Sequence, residues 1–304
     1  MKLLKADFSS PRQITLKEEE IEEPKEDEVL VKVKACGICG SNVSAFQAGE
    51  GGNPGHEIAG IVENIGEGVK SLKVEDRVNT DFISGGFAEY VKASENIWFP
   101  IPDELSFEEG ALLTDTVGTP LVIVKNSQVS EGSKVGVWGC GPLGLSVIQI
   151  CKAYGASFVL AVEPYKKRRK VALELGADVA FDASSSELAD YISEKTGGEG
   201  LDVVINANPK SVRQAASFVR TDGNFGSLGG FPEKPPRPMH FRSAGYIEKE
   251  WYSEIVDLVL SGKVLLKPLI SHTYPLEQIN EAFRMRFLQQ QQSLKVVVTV
   301  VIQL

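Results

Sequence analysis

The chain has 304 residues, 42% of them hydrophobic and 24% charged, which is material for two ordinary globular domains. Acidic residues (41) outnumber basic ones (32), and the formal net charge of −9 excludes nucleic acid as a main partner, because phosphate binding needs a basic surface. No run reaches the roughly 18 apolar residues of a membrane helix, and Met1-Lys2-Leu3-Leu4-Lys5 leads to Asp7 rather than to an apolar signal segment, so no membrane partner and a cytoplasmic address are expected.

Residues 27–100 read as short strands joined by glycine turns, with β character over 29–34, 58–65 and 86–92. No helices alternate with them, so a compact β-rich domain is expected. From Ser106 the pattern changes. Residues 106–127 suit one helix, with Ser106 as N-cap and Glu109 as its capping-box partner. Strands at 134–138, 158–162, 201–205 and 224–228 then alternate with helices at 142–154, 166–175 and 211–219. That order predicts a parallel, doubly wound sheet with right-handed crossovers. A further helix is expected over 248–260. In the tail, strands at 268–270 and 295–302 flank a helix at roughly 276–288.

Gly139-Cys140-Gly141-Pro142-Leu143-Gly144 fits G-x-G-x-x-G where a strand meets a helix, the context a dinucleotide site requires. Gly139 permits the tight turn, Gly141 lets backbone approach a pyrophosphate, and Gly144 lets the helix pack on the strand. Pro142 falls in the first helical turn, where a missing N–H costs nothing. The pyrophosphate is expected on the helix N-terminus. Glu163 follows at the end of the next strand, where a carboxylate accepts from ribose hydroxyls and repels a 2′-phosphate; this favours NAD over NADP. The basic run Lys166–Lys170 reads either as a solvated helix face or as cations near that ribose.

The cysteines are Cys36, Cys39, Cys140 and Cys151. Cys36-Gly37-Ile38-Cys39 has no second C-x-x-C, which excludes a four-cysteine structural zinc; a redox pair or a single metal ligand stays open. Gly55-His56-Glu57 precedes the next strand. Cysteine, histidine and carboxylate together form a mixed S/N/O set suited to zinc, and three ligands with one exchangeable position make a catalytic site.

Val33–Ser41 and Gly55–Val62, with Gly139–Gly144, Glu163, the 201–230 segment and Leu294–Thr299, resemble the zinc-dependent medium-chain alcohol dehydrogenases over nearly the whole chain. The resemblance implies an α/β protein. A β-rich GroES-like catalytic domain spans 1–117 and 264–304, and a Rossmann dinucleotide-binding domain spans 118–263. It implies one catalytic zinc per chain, with Cys39 and His56 as ligands, Glu57 as an intermittent one, and Asp115 as the ligand from the interdomain helix; Cys36 is then a small core residue. Ser41 corresponds to the hydroxyl that relays the substrate proton. Thr119 and Leu143 correspond to residues packed on the nicotinamide, Arg168 to a basic residue near the adenosine ribose, and Lys295 to a basic contact with the pyrophosphate. The reaction implied is hydride transfer between NAD(H) and a small-molecule alcohol or ketone, by a homo-oligomer, dimer or tetramer.

The chain also departs from the family. Asn42 stands where an aspartate usually supports the zinc histidine, and Ser44 stands where the better-known relays place histidine. Arg77-Val78 is followed so soon by Gly85-Gly86-Phe87 that the usual lobe with four structural-zinc cysteines is missing. Two other readings fit parts of the pattern. A zinc-free quinone or enone reductase would have no use for the ligand set, and a non-catalytic NAD-binding protein would bind the nucleotide without turnover.

Overall fold

A computed structural model describes residues 2–245 and 247–300. By its internal contacts the chain divides into two units. One runs to Asp115 and resumes at Ile270; the other is Thr116–Leu269.

The first unit opens with β1 (Lys2–Ser10) and β2 (Gln13–Glu20), followed by β3 (Glu28–Gly37), α1 (Val43–Ala48), β4 (Glu57–Ile65), β5 (Arg77–Thr80), β6 (Tyr90–Ser94), β7 (Phe99–Pro100) and α2 (Phe107–Gly110). The second unit carries α3 (Thr119–Asn126), β8 (Lys134–Trp138), α4 (Pro142–Ala153), β9 (Phe158–Val162), α5 (Lys166–Glu174), β10 (Val179–Phe181) and α6 (Leu188–Thr196). It continues through β11 (Leu201–Asn206), α7 (Val212–Ala216), β12 (Val219–Ser227), β13 (Met239–Ser243) and α8 (Tyr252–Leu260). The chain returns to the first unit with β14 (Ile270–Pro275), α9 (Ile279–Leu288) and β15 (Lys295–Thr299). Residues 301–302 of the strand expected there lie outside the described residues.

In the first unit the strand order is β14-β15-β3-β4-β5-β7, with β6 also on β3. β3 is the organising strand. Val29, Val31 and Val33 alternate into the core, as a period-two strand requires. A register shift between Val33 and Ala35 then changes the phase, so that Cys36 rejoins the core face. Opposite Gly37 stands Glu57, and a Cβ at Gly37 would lie 2.3 Å from the Glu57 carboxylate, so glycine is required there. The returning segment seals this unit: β15 pairs antiparallel with β3, and Phe283 of α9 meets Phe8, Phe46 and Phe87 at ring separations of 5.1, 5.2 and 5.4 Å.

In the second unit six parallel strands lie in the order β10-β9-β8-β11-β12-β13. The order reverses between β8 and β11, so the glycine turn after β8 sits at the switch point where open α/β sheets take ligands. Aliphatic β8 and β9 are buried almost throughout, as strands covered on both faces are.

The strand expected at 268–270 starts only at Ile270, after a 3-10 turn at Lys267–Leu269. Residues 106–127 do not form one helix. The capping box is present, with Ser106 Oγ accepting from the Glu109 N–H (3.2 Å) and Glu109 Oε2 from the Ser106 N–H (3.0 Å). Yet α2 stops at Gly110, and Leu113–Gly118 winds as a π-helical turn before α3. Pro120 supplies the reason, since it has no N–H to return to the preceding turn and the chain widens instead. The turn carries Asp115. Among the described residues, no helix is long and apolar enough to cross a membrane.

Candidate metal centre and nucleotide cradle

The first unit gathers four donors. Cys39 lies in the loop after β3, capping a 3-10 turn at Gly40–Asn42. His56 directly precedes β4 and Glu57 opens it, and Asp115 comes from the π-helical turn. One ligand atom from each of Cys39, His56, Glu57 and Asp115 lies within 4.8 Å of the others. A thiol, an imidazole and two carboxylates at this spacing fit the S/N/O preference of zinc. The His56 ring is already set for it. A carbonyl oxygen can only accept, so Nδ1 donates to Pro54 O (3.1 Å) and Nε2 is left toward Asp115 Oδ2 at 3.7 Å.

The electrostatics describe a socket for a cation. Burial works against a charged His56, but the hydrogen bond with Asp115 and the neighbouring Cys39 and Glu57 override it and raise the ring to about 11. Burial pushes the Asp115 carboxyl up, yet His56 and the Lys295 ammonium hold it well below the usual carboxylate range. Burial raises Glu57, with Lys295 pulling the other way.

Lys295 requires a correction. The sequence reading set it on the pyrophosphate. The structure buries it in the first unit, 2% exposed, with Nζ 2.5 and 2.7 Å from the two Glu57 oxygens. An ammonium this deep needs a carboxylate, and β15 running beside β3 brings it to the one facing Gly37. The Asn42 side chain bonds to the Cys39 N–H and the Pro54 carbonyl, each at 2.9 Å. Ser41 lies exposed in the 3-10 turn beside Cys39, and Ser44 lies exposed on α1.

Asp81 was not read from the sequence. Thr80 pairs with Ile58 across β4 and β5, so Asp81 follows opposite Glu57. Burial, with the charges of Asp115 and Glu57, raises its carboxyl to about 7. The available signal is an aspartate directly after a short strand that pairs with the strand opening at Glu57.

The second unit forms the cradle, and its three glycines differ in kind. Gly139 has φ +93°, open to glycine alone at little cost. A Cβ at Gly144 would lie 1.8 Å from the Gly139 carbonyl oxygen, so α4 can pack on the strand only without one. A Cβ at Gly141 would have Arg168 Nη1 as its nearest protein neighbour, at 4.0 Å. That space is a recess of the kind a phosphate group occupies, at the N-terminus of the 12-residue helix α4 that begins with Pro142. Leu143 is half-buried in the first turn of α4, and Thr119 half-buried at the start of α3.

Glu163 has a task beyond the expected one. It is 3% exposed, and its oxygens accept from the Cys140 N–H (2.8 Å) and the Tyr165 N–H (3.1 Å), tying the glycine turn to the end of β9. The basic run divides. Arg168 lies over the Tyr165 ring beside Gly141, whereas Arg169 is spent on the Glu163 and Pro164 carbonyls and on Asp182.

Comparison with known proteins gives two family matches. Residues 25–103 match the alcohol dehydrogenase GroES-like domain, and residues 142–253 match the zinc-binding dehydrogenase family. The chain is 37% identical to (R,R)-butanediol dehydrogenase of Bacillus subtilis (strain 168) over 241 residues, covering 65% of this chain and 69% of that one. It is 30% identical to an alcohol dehydrogenase of Geobacillus stearothermophilus over 91% of this chain and 93% of the relative. The crystal structure of 2R,3R-butanediol dehydrogenase from Bacillus subtilis superposes with a TM-score of 0.87 at 27% identity, covering 98% and 99% of the two chains.

Proposed function

Because the chain belongs to the zinc-dependent medium-chain alcohol dehydrogenase family, we infer that it is an oxidoreductase moving hydride between a nicotinamide dinucleotide and an alcohol or ketone. The observation that carries this reading is the meeting of Cys39, His56, Glu57 and Asp115 donors within 4.8 Å. Cys39, His56 and Asp115 would hold one zinc per chain. Glu57 is kept back by Lys295, which occupies both of its oxygens. Bound there, zinc supplies Lewis acidity toward the substrate oxygen.

The chain's own groups do the rest. Ser41, exposed beside Cys39, accepts the substrate hydroxyl proton and passes it to water. With histidine replaced by Ser44, the proton leaves through solvent rather than along a longer side-chain relay. The turn at Gly139–Gly144 and the first N–H groups of α4 receive the pyrophosphate, and Arg168 flanks it. Glu163 marks the ribose end of the cradle with a carboxylate, which favours NAD over NADP. Thr119 and Leu143 pack on the nicotinamide, the group that takes or gives the hydride. The two domains that divide these tasks are 1–117 with 264–304 and 118–263. Secondary alcohols are the favoured substrates: the butanediol dehydrogenase relative acts on a secondary diol, and the present site offers aspartate as its third ligand. A homo-oligomer, dimer or tetramer, is the working form.

Elemental analysis of the purified protein, followed by a screen of 2,3-butanediol and other secondary alcohols with NAD and NADP, tests this reading. About one zinc per chain, lost in Cys39→Ala and His56→Ala together with NAD reduction, supports it. A protein that takes up no zinc, or takes it up and reduces neither nucleotide with any alcohol, overturns it.

A further inference from the structure

Asn42 is 1% exposed and makes two side-chain hydrogen bonds that join the two ligand-bearing loops. The Cys39 N–H donates to its Oδ1 at 2.9 Å, and its Nδ2 donates to the Pro54 carbonyl at 2.9 Å. The orientation of the amide admits no alternative, because a backbone N–H only donates and a proline carbonyl only accepts. The same Pro54 oxygen accepts from His56 Nδ1 at 3.1 Å, so both of its lone pairs are used. One neutral side chain thereby fixes the loop of the cysteine and, through a shared carbonyl, the ring orientation of the histidine.

We propose that Asn42 is the positioning residue of the metal site, and that this site requires an amide there rather than the aspartate usual in the family. An aspartate could still accept from Cys39. Its second oxygen would face the Pro54 carbonyl across 2.9 Å, acceptor against acceptor, with no proton between them. Cys39 and His56 would then lose their common brace. The substitution that restores the family residue is thus expected to weaken the site, although it adds a negative charge near a cation. Groups that orient metal ligands in this way are worth roughly 10–100-fold in affinity.

This inference rests on the zinc reading above, and its test separates the two. Wild type, Asn42→Asp and Asn42→Ser (too short to span both groups) are loaded with zinc or cobalt. Metal release to a chelator is timed, the thiolate-to-cobalt charge-transfer band is recorded, and the unfolding midpoint of each metal-free protein is measured. Release from both variants faster by roughly 10–100-fold, with a displaced or weakened charge-transfer band, supports the proposal. Wild-type release rates in variants whose metal-free midpoints fall would show a merely structural brace and overturn it. Slower release from Asn42→Asp would overturn it too. A wild-type chain that binds neither metal would overturn the zinc reading itself, and this inference with it. If Asn42→Asp does not fold, Asn42→Ser decides the question by the same readings.

Discussion

Lys295 and Glu57 bring opposite charges together from positions 238 residues apart, inside a protein unit that exposes almost nothing of either. Such a pair is weak as a source of stability and costly to break from one side, because the surviving charge stays buried. Lys295→Met is therefore expected to lower the unfolding free energy by about 3–5 kcal/mol, as measured by urea denaturation. Loss of less than about 1 kcal/mol would place the ion pair in the class of exposed surface bridges and contradict the burial. The same separation explains what the sequence could and could not disclose. Cys39, His56 and Glu57 sit in short motifs whose chemistry is local, and the structure brings their donor atoms together. The partners of Lys295 and Asp81 are decided by strand register, and the Pro54 partner of Asn42 by two loops meeting, which no local spacing encodes.

Elements were legible in proportion to how much of their pattern lies within them. β8, α4, β9, α5 and β11 were clear because their strands are apolar runs and α4 opens at a glycine–proline turn, whereas the three-residue, half-buried β10 and the α6 that follows it gave no comparable signal. The helix expected over 106–127 failed because its apolar content continues straight through a π-helical turn, which hydrophobic pattern does not register. The β1–β2 hairpin gave no clear signal because polar and charged residues dominate it and only Leu3, Ala6, Phe8 and Ile14 are buried. At the junction of β8 and α4, two glycines three positions apart, Gly141 and Gly144, make contrasting predictions. Gly144→Ala places a methyl against the Gly139 carbonyl, so overpacking of about 1–3 kcal/mol is expected together with loss of nucleotide binding. Gly141→Ala meets only Arg168 at 4.0 Å, so the unfolding midpoint should stay at the wild-type value. Its methyl nonetheless enters the phosphate recess, and NAD affinity should fall by about tenfold or more, or about 1.4 kcal/mol. Calorimetric unfolding beside NAD titration checks both, and a destabilised Gly141→Ala with normal affinity would refute the assignment of the recess.

For the molecule as a whole, the two units differ in how they are strung. Thr116–Leu269 is continuous, with its own parallel sheet and its own core around Trp138, Leu160, Val204 and Phe225. Residues 116–269 expressed alone should therefore fold and bind NAD, to be checked by circular dichroism and nucleotide titration. Residues 1–115 alone, lacking β15 and Phe283, should not fold; a cooperative unfolding transition from that fragment would disprove it. The other unit closes only when its second segment has been made. On a ribosome adding about 5–20 residues per second, 238 residues separate Glu57 from Lys295 by roughly 10–50 s. Through that interval the nascent chain carries Cys39, His56 and Glu57, joined partway by Asp115, without the ammonium that later restrains one of them. The order of synthesis makes the lysine last, so the Glu57 carboxylate cannot be neutralised by it, and the first unit cannot close, until the returning strand has been made.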